Sequence, residues 1–482
     1  MINFKKSSLS FLTENLATFK NLKILVIGDV MIDHYIIGNA TRISPEAPVP
    51  IINVVEEKYY LGGAANVALN IKKLSCDVTI LGVIGRDTNG TLFKKLLKKN
   101  KINSDILEKN NVKTITKTRI INNNYQITRL DKENHKDDYC PKDISESLKN
   151  IAKHDIIIIS DYDKGFLNHK ICKKIISISK TFNKKVIVDP KGNDFSKYQN
   201  AYLLTPNLKE FNIVINAFNN RKDANSNAIK LKNQINIDNL IVTKGEKGAN
   251  LYFGKDNFFE FEGIKTTFSD VVGAGDTFVA SMSVFLALNC DIKLSTYLAN
   301  ICAGLVVQKK GTNFINIKEI LSYLTKNTTI VNEGLLDILI KNKFFSKEIV
   351  FTNGCFDILH PGHVNLFKSA KSKGDVLIVA INSDSSIEKI KGKGRPINNI
   401  NFRLKMLRSI KYIDYIIEFD ELTPINLIKK IKPNILFKGG DYKKSEIVGY
   451  KEVLSYGGKV LTNEYDQNFS SSKIIKTIKD LR

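Results

Sequence analysis

The sequence predicts an α/β protein in which a doubly wound parallel sheet is followed by a second, smaller α/β domain. Three observations predict it. Short apolar runs ending in a small or polar residue recur, as in Lys23-Ile-Leu-Val-Ile-Gly28, Ile156-Ile-Ile-Ile-Ser160, Lys185-Val-Ile-Val-Asp189 and, far downstream, Asp375-Val-Leu-Ile-Val-Ala-Ile381. Lysine-rich amphipathic stretches separate these runs, which is the alternation expected of parallel strands and crossover helices. Past Gly311-Thr312 the apolar pattern thins, with a polar break at Lys326-Asn-Thr-Thr329, and it resumes at Ile349-Val-Phe351. The expected division is residues 1–325, a connection over 326–347, and residues 348–482.

At 482 residues and 43% hydrophobic side chains, the chain can build more than one packed core. A formal charge of +24 raises the question of a nucleic-acid partner. The excess is lysine dispersed among asparagines and isoleucines, with no long basic block, arginine-rich arm or aromatic ladder. A solvated surface that helps attract polyanionic substrates is expected instead, and no nucleic acid. No apolar run approaches the ~18 residues of a membrane span; the nearest, Phe278 to Leu288, is broken by serines. The N-terminal Met-Ile-Asn-Phe-Lys-Lys lacks a signal-peptide core, and six scattered cysteines form no C-x-x-C pair. A reduced, cytoplasmic protein is expected, with no membrane partner.

In chain order, the first strand ends at Gly28, and Asp29 and Asp33 follow where open α/β sheets place ligand groups. Asp33 can accept hydrogen bonds from a sugar's hydroxyls. Thr41-Arg-Ile-Ser-Pro-Glu-Ala-Pro48 is too rich in proline for a helix and reads as a loop or edge strand. Leu61-Gly-Gly-Ala-Ala-Asn-Val-Ala68 opens a helix of small residues at the pair Gly62-Gly63. It serves close packing or, through the donor and acceptor of Asn66, a polyol. Thr114 to Ile121 alternates, as a half-exposed antiparallel strand of a lid would. Polar groups end later strands at Asp189-Pro-Lys-Gly192, Thr205-Pro-Asn-Leu-Lys-Glu210 and Thr243-Lys-Gly-Glu-Lys-Gly248. Asn207 and Glu210, three apart at a helix start, can cap that helix or hold a hydrated Mg²⁺ beside ATP.

Asp270-Val-Val-Gly-Ala-Gly-Asp-Thr277 then leads into an apolar helix. Gly273 and Gly275 permit a tight turn whose N–H groups face an anion. Asp276 stands where the helix dipole favours its ionised form, ready to take a proton from an attacking hydroxyl. The order Gly62-Gly63…Asn66, Asn207…Glu210, Gly273-Ala274-Gly275-Asp276 resembles the ribokinase-like sugar kinases over roughly residues 20 to 315. That resemblance implies a sugar under a small β lid, held by Asp33, Gly62, Gly63 and Asn66. It implies ATP on Asn207, Leu208, Lys209, Glu210, Lys244, Gly245, Gly273, Ala274 and Gly275, with Asp276 as catalytic base and Glu210 towards Mg²⁺. Val272 departs from the Thr common there.

The second domain opens on Phe351-Thr-Asn-Gly-Cys-Phe-Asp-Ile-Leu-His-Pro-Gly-His363, a strand that turns at Asn353-Gly354 and a helix that starts near Pro361-Gly362. His360 and His363 can project to one side of the helix start, and Gly362 lets a phosphate approach the backbone. The two imidazoles either cap the helix or stabilise charge developing on an α-phosphate. The whole stretch resembles the H-x-G-H nucleotidyltransferases, a Rossmann-like fold. The resemblance implies His360 and His363 as catalytic residues and a nucleotide bound by Asn353, Gly354, Phe356, Asp357, Gly362, Lys391, Arg395, Arg403, Lys438, Ser471 and Ser472.

Sugar kinase followed by nucleotidyltransferase resembles the bacterial bifunctional heptose 7-phosphate kinase/heptose 1-phosphate adenylyltransferases across nearly the whole chain. Thr41 to Pro48, Asp189-Pro-Lys-Gly192, Asn382-Ser-Asp384 with Arg395-Pro396, and Lys438-Gly-Gly-Asp-Tyr442 take part. The resemblance implies ATP as substrate of both steps, heptose phosphates as the other substrates, and ADP-heptose for the lipopolysaccharide core as product. A homodimer through the kinase half and a separate phosphatase acting between the steps are also implied. The alternative is a sugar kinase fused to a glycerol-phosphate-type cytidylyltransferase. An R-T-x-G-I-S-T-S run would mark it, and here only Ser470-Ser471-Ser472 stands, after Asn468-Phe469.

Overall fold

A computed structural model describes residues 4–123, 125–216, 224–264, 273–309, 313–325, 330–331, 336, 340, 348–440 and 444–462. Apart from Leu12–Glu14, which group with the second, the chain divides into two compact units between Ile320 and Leu321.

Among the described residues, the first unit holds a nine-stranded sheet. Its order is Asn257–Phe261, Ala249–Phe253, Asn239–Thr243, Leu203–Leu204, Lys185–Asp189, Ile156–Ser160, Lys23–Gly28, Asp77–Gly85, Asn103–Lys109. The strands from Asn239–Thr243 to Asn103–Lys109 are parallel, and the hairpin at the other edge is appended antiparallel. Ile156–Ser160 is buried at every position, as its run of β-branched residues requires of a strand covered on both faces. The chain leaves Lys23–Gly28 in one direction and returns on its other side at Ile156–Ser160. The strand order therefore reverses between these two, and a crevice opens at their carboxyl ends.

A four-stranded sheet stands apart from the first, in the order Pro50–Gly63, Val30–Ile43, Thr116–Asn122, Tyr125–Lys132. Thr116–Asn122 runs parallel to Val30–Ile43 and antiparallel to Tyr125–Lys132, so the lid is mixed rather than purely antiparallel. Gly62 and Gly63 end a lid strand as well as opening the helix Ala64–Lys73. A Cβ on Gly62 would stand 2.4 Å from Asp33 Oδ2. Gly63 has φ +59° and faces the Asp29 carbonyl at the same distance.

The second unit carries a parallel sheet in the order Ile330–Val331, Tyr415–Phe419, Val376–Asn382, Ile349–Gly354, Ile435–Lys438, Lys459–Thr462. Its order reverses between Ile349–Gly354 and Ile435–Lys438. Ile330–Val331 lies inside the stretch expected to be connection, yet it pairs with Tyr415–Phe419 as an edge strand. The polar break at 326–329 lies outside the described residues. Among the described residues no helix is long and apolar enough to cross a membrane, and all six cysteines are free thiols.

Candidate active sites

Asp276 reaches the crevice of the first unit from the helix Ala274–Ala287, whose N-cap Gly273 sits at φ 80°. That helix packs on Ala64–Lys73, and Thr277 Oγ1 donates to Asn70 Oδ1 at 2.9 Å between them. The same packing brings Asn66 to Asp276, where its Nδ2 donates to Oδ2. Tyr162, from the loop after Ile156–Ser160, donates its hydroxyl to Oδ1 at 2.5 Å. Burial raises the Asp276 pKa, these two donors lower it, the Asp33 carboxylate raises it again and the Lys117 ammonium lowers it. The Asn66 side-chain oxygen Oδ1 is buried with no partner among the described residues, so it can accept from a substrate hydroxyl.

A cavity of about 180 Å³ is lined by Tyr162, Asp189, Lys191, Asn207, Glu210 and Asp276, among others. Burial, Asp276 and Glu210 together push the Asp189 carboxyl well above the usual range. Asn207 Oδ1 accepts from the backbone of Lys209 and Glu210 at 3.0 Å each, and Glu210 Oε2 accepts from Asn207 N at 3.0 Å. This is a reciprocal helix cap. The other Glu210 oxygen meets Lys191 Nζ at 2.6 Å.

In the second unit the helix Pro361–Lys371 starts with the proline at its first turn and His360 at the N-cap, yet the His360 side chain makes no capping bond. The His360 and His363 rings stack with centroids 3.8 Å apart, and the Nδ1 of each is buried without a partner among the described residues. Burial lowers the His360 pKa. For His363, burial, His360 and Lys391 bring it down to about 3. Both shifts favour the neutral imidazole. Lys438 Nζ bridges the strand reversal to the Asn353 carbonyl at 3.1 Å, and burial lowers its pKa to about 8.

Residues 21–319 match the pfkB family of carbohydrate kinases, and residues 351–477 match the cytidylyltransferase-like family. The bifunctional protein HldE of Haemophilus influenzae is 40% identical over 472 residues, 97% of this chain and 99% of that protein. The bifunctional protein HldE of Pasteurella multocida is 39% identical over 475 residues, with the same coverage. The chain belongs to the HldE family. Among solved structures, an Arabidopsis thaliana ribokinase complexed with ribose and ATP matches at TM-score 0.53 and 20% identity. It covers 63% of this chain and 98% of its own. Phosphofructokinase-2 of Escherichia coli matches at TM-score 0.52 and 19% identity over 63% and 99%. Both share the fold of the first unit. The fold is thus ribokinase-like, followed by a nucleotidyltransferase-like domain, and the chain is a bifunctional transferase.

The crevice of the first unit gathers Asn66, Asn207, Glu210, Gly275 and Asp276, with Asp33 on the adjoining lid. Asp33 accepts from Arg119 at 2.5 Å, a lid pairing that the sequence reading missed. Both Asp29 oxygens are occupied within the protein. They accept from the backbone N–H groups of Tyr162, Lys164 and Phe166 and so fix that loop. Leu208 and Lys209 lie exposed on the first turn after Asn207. Lys244 is paired with Glu260, so the resemblance-derived contact to ATP would require that pair to open.

Two arginines of the second unit are engaged within the protein. Arg403 is 1% exposed and donates to the carbonyls of Asn398, Cys355 and Asn382 and to Asp384 Oδ1, at 2.6 to 3.0 Å. It ties strand-end loops together and offers no face to a triphosphate. Arg395 Nε is held on Asp357 Oδ2 at 2.7 Å, and the backbone of Ile397 and Asn398 occupies Oδ1. Asp357 is therefore a buried anchor of that loop. Phe356 meets the His363 ring edge-on with centroids 5.3 Å apart, Asn353 and Gly354 end the strand Ile349–Gly354, Gly362 lies between the two histidines in the first helical turn, and Lys391 ends the helix Asp384–Lys391. Ser471, Ser472 and residues 270–272 lie outside the described residues.

Proposed function

We propose that the chain works in ADP-heptose biosynthesis at two separate centres. It is a heptose phosphate kinase and an adenylyltransferase, and the alternative cytidylyltransferase fusion is not favoured, since relatives named bifunctional HldE match along both halves. In the first reaction ATP phosphorylates C1 of D-glycero-β-D-manno-heptose 7-phosphate. Asp276 takes the proton of the C1 hydroxyl as its oxygen bonds to the γ-phosphorus and the bond to ADP breaks. Asn66 and Asp33 orient the sugar, and the Gly273-Ala274-Gly275 turn receives the transferring phosphate. Mg²⁺ supplies charge neutralisation on the phosphates when bound. Glu210 fits a hydrated ion, because one of its oxygens meets only the exchangeable ammonium of Lys191.

In the second reaction heptose 1-phosphate attacks the α-phosphorus of ATP, the bond to pyrophosphate breaks, and ADP-heptose forms. The nucleophile is already ionised, so His360 and His363 act as donors to phosphate oxygens rather than as bases. The 7-phosphate has to leave between the two reactions, and a separate phosphatase is assigned that step. A cytoplasmic homodimer joined through the kinase half completes the reading.

The observation that carries it is the pairing, in one chain, of a crevice built on a clamped carboxylate with a crevice built on two unpartnered imidazoles. The test is incubation with ATP and a panel of sugar phosphates, following ADP and pyrophosphate separately. ADP should form only with heptose 7-phosphate and pyrophosphate only with heptose 1-phosphate. Equal turnover of hexose phosphates would contradict the substrate assignment.

A further inference from the structure

The Asp276 carboxylate is held from two sides, and only one side was foreseeable from the kinase motifs. Asn66 comes with the helix Ala64–Lys73, on which the helix of Asp276, Ala274–Ala287, packs. Tyr162 comes from the other side of the crevice, 114 residues away, and its placement is itself built in. Its backbone N–H donates to Asp29 Oδ2 at 2.9 Å, Lys164 N to the same oxygen at 3.1 Å and Phe166 N to Oδ1 at 3.2 Å. Asp161, one residue earlier, is anchored by Lys197 Nζ at 2.6 Å and Tyr198 OH at 2.7 Å. The loop is thus tied at both ends of the strand reversal, and Lys117 of the lid lies 5.8 Å from the Tyr162 ring centroid.

We propose that Tyr162 is a positioning residue of the kinase reaction, whose hydroxyl fixes Asp276 and keeps it in the ionised form that can accept the substrate's proton. This rests on reading Asp276 as the base. A buried carboxylate beside other carboxylates tends to hold its proton and so to lose its use as a base. Asp33 faces Asp276 from the lid strand and Asp189 from the strand Lys185–Asp189. Glu210, Asp161 and Lys191 lie around Asp189, and Lys117 is the cation that faces Asp276 from the lid. Against that excess of negative charge, a phenol hydroxyl donating to Oδ1 favours the ionised base without adding a charge that would have to be neutralised in turn. Tyr162 keeps its own proton throughout, because burial first, and then Asp276 and Asp189, drive its pKa well above 10. Each Asp276 oxygen retains a lone pair for the sugar hydroxyl.

The experiment is the pH profile of ADP release from the full chain, pH 5 to 9, with pyrophosphate release and thermal unfolding followed on the same preparation. In Tyr162→Phe the acid limb of kcat should move up by roughly one pH unit. KM for the sugar phosphate should stay unchanged, and the rate at the alkaline end should approach that of the native chain. Replacing Tyr162 by 3,5-difluorotyrosine, a stronger donor of nearly the same size, should move the limb the opposite way, and it tests the inference should Tyr162→Phe fail to fold. An unmoved limb in the fluorinated chain overturns the inference, as does a loss in Tyr162→Phe that is uniform across pH. Asp276→Asn separates this from the underlying reading. If that variant remains an active kinase, the base assignment itself is wrong. If it is inactive while both Tyr162 profiles stay unmoved, only the role of Tyr162 is lost.

Discussion

In the first unit the strand order reverses between Lys23–Gly28 and Ile156–Ser160; in the second it reverses between Ile349–Gly354 and Ile435–Lys438. Each crevice opens at the carboxyl ends of its central strands, where parallel sheets gather ligands. The first presents acids, with Asp276 and Asp189 both pushed above the usual carboxylate range. The second presents neutral imidazoles and a buried lysine. The difference follows from the nucleophiles assigned to each. A sugar hydroxyl has a proton to give up and needs a base, whereas a sugar phosphate arrives ionised and needs only donors for the charge it creates.

The comparison can be broken from either side, and the largest effect belongs to the base. Asp276→Asn should lower ADP release by ~10²–10⁴-fold and leave pyrophosphate release at its native rate; retention of more than a tenth of the kinase rate would remove Asp276 from the role. Next comes Arg403→Met, which strands buried carbonyls and Asp384. It should destabilise the second unit by about 3–5 kcal/mol, seen as an early thermal transition with kinase activity intact. A variant that melts normally but loses only its affinity for ATP would restore Arg403 as a nucleotide contact. His363→Ala should cost ~10²–10³-fold in pyrophosphate release, about 2.7–4 kcal/mol, with little change in melting. A helix-cap role predicts the reverse, ~1 kcal/mol of stability with turnover preserved.

The smallest expected effect is on pH and stability, and it has opposite signs in the two units. His363 titrates at about 3 when folded, against about 6.5 unfolded, so its contribution is present above pH 6.5 and is lost as pH falls towards 3. Asp29, with burial and Asp161 raising it to about 6 against about 3.8 unfolded, contributes stability below pH 3.8 that is lost as pH rises through 6. Moving from pH 7 to pH 5 should therefore weaken the second unit and strengthen the first, by roughly 1–2 kcal/mol each. Differential scanning calorimetry at the two pH values should show the transitions moving in opposite directions. Parallel movement would contradict the assignment.

Much of this was legible in the sequence because buried parallel strands and glycine-bounded helix starts are local signals. Ile156–Ser160, Asp276 and the His360/His363 pair needed no partner to be recognised. What was missed depends on tertiary placement. Pro50–Gly63 is exposed at half of its positions and buried only at Leu61–Gly63, so its apolar residues do not mark a core-facing strand. Tyr162 acquires its partner only when the strand order reverses. Arg403 looked like a phosphate ligand because a sequence displays charge but not burial. The two ambiguous three-residue spacings resolved differently. Asn207 and Glu210 do cap their helix, although one Glu210 oxygen keeps an exchangeable partner, whereas His360 and His363 cap nothing and leave their Nδ1 atoms free.

The central claim is that two independent centres act in sequence through an intermediate that leaves the chain. Complementation in a single vessel tests it most directly. Asp276→Asn and His363→Ala chains are mixed in equal amounts with ATP, heptose 7-phosphate and a bisphosphate phosphatase, and ADP-heptose is measured over time. Neither variant alone should make product. The mixture should make it at a rate within about twofold of the native chain, as expected of sites that do not share partners. A mixture that stays as inactive as either variant alone would contradict the account.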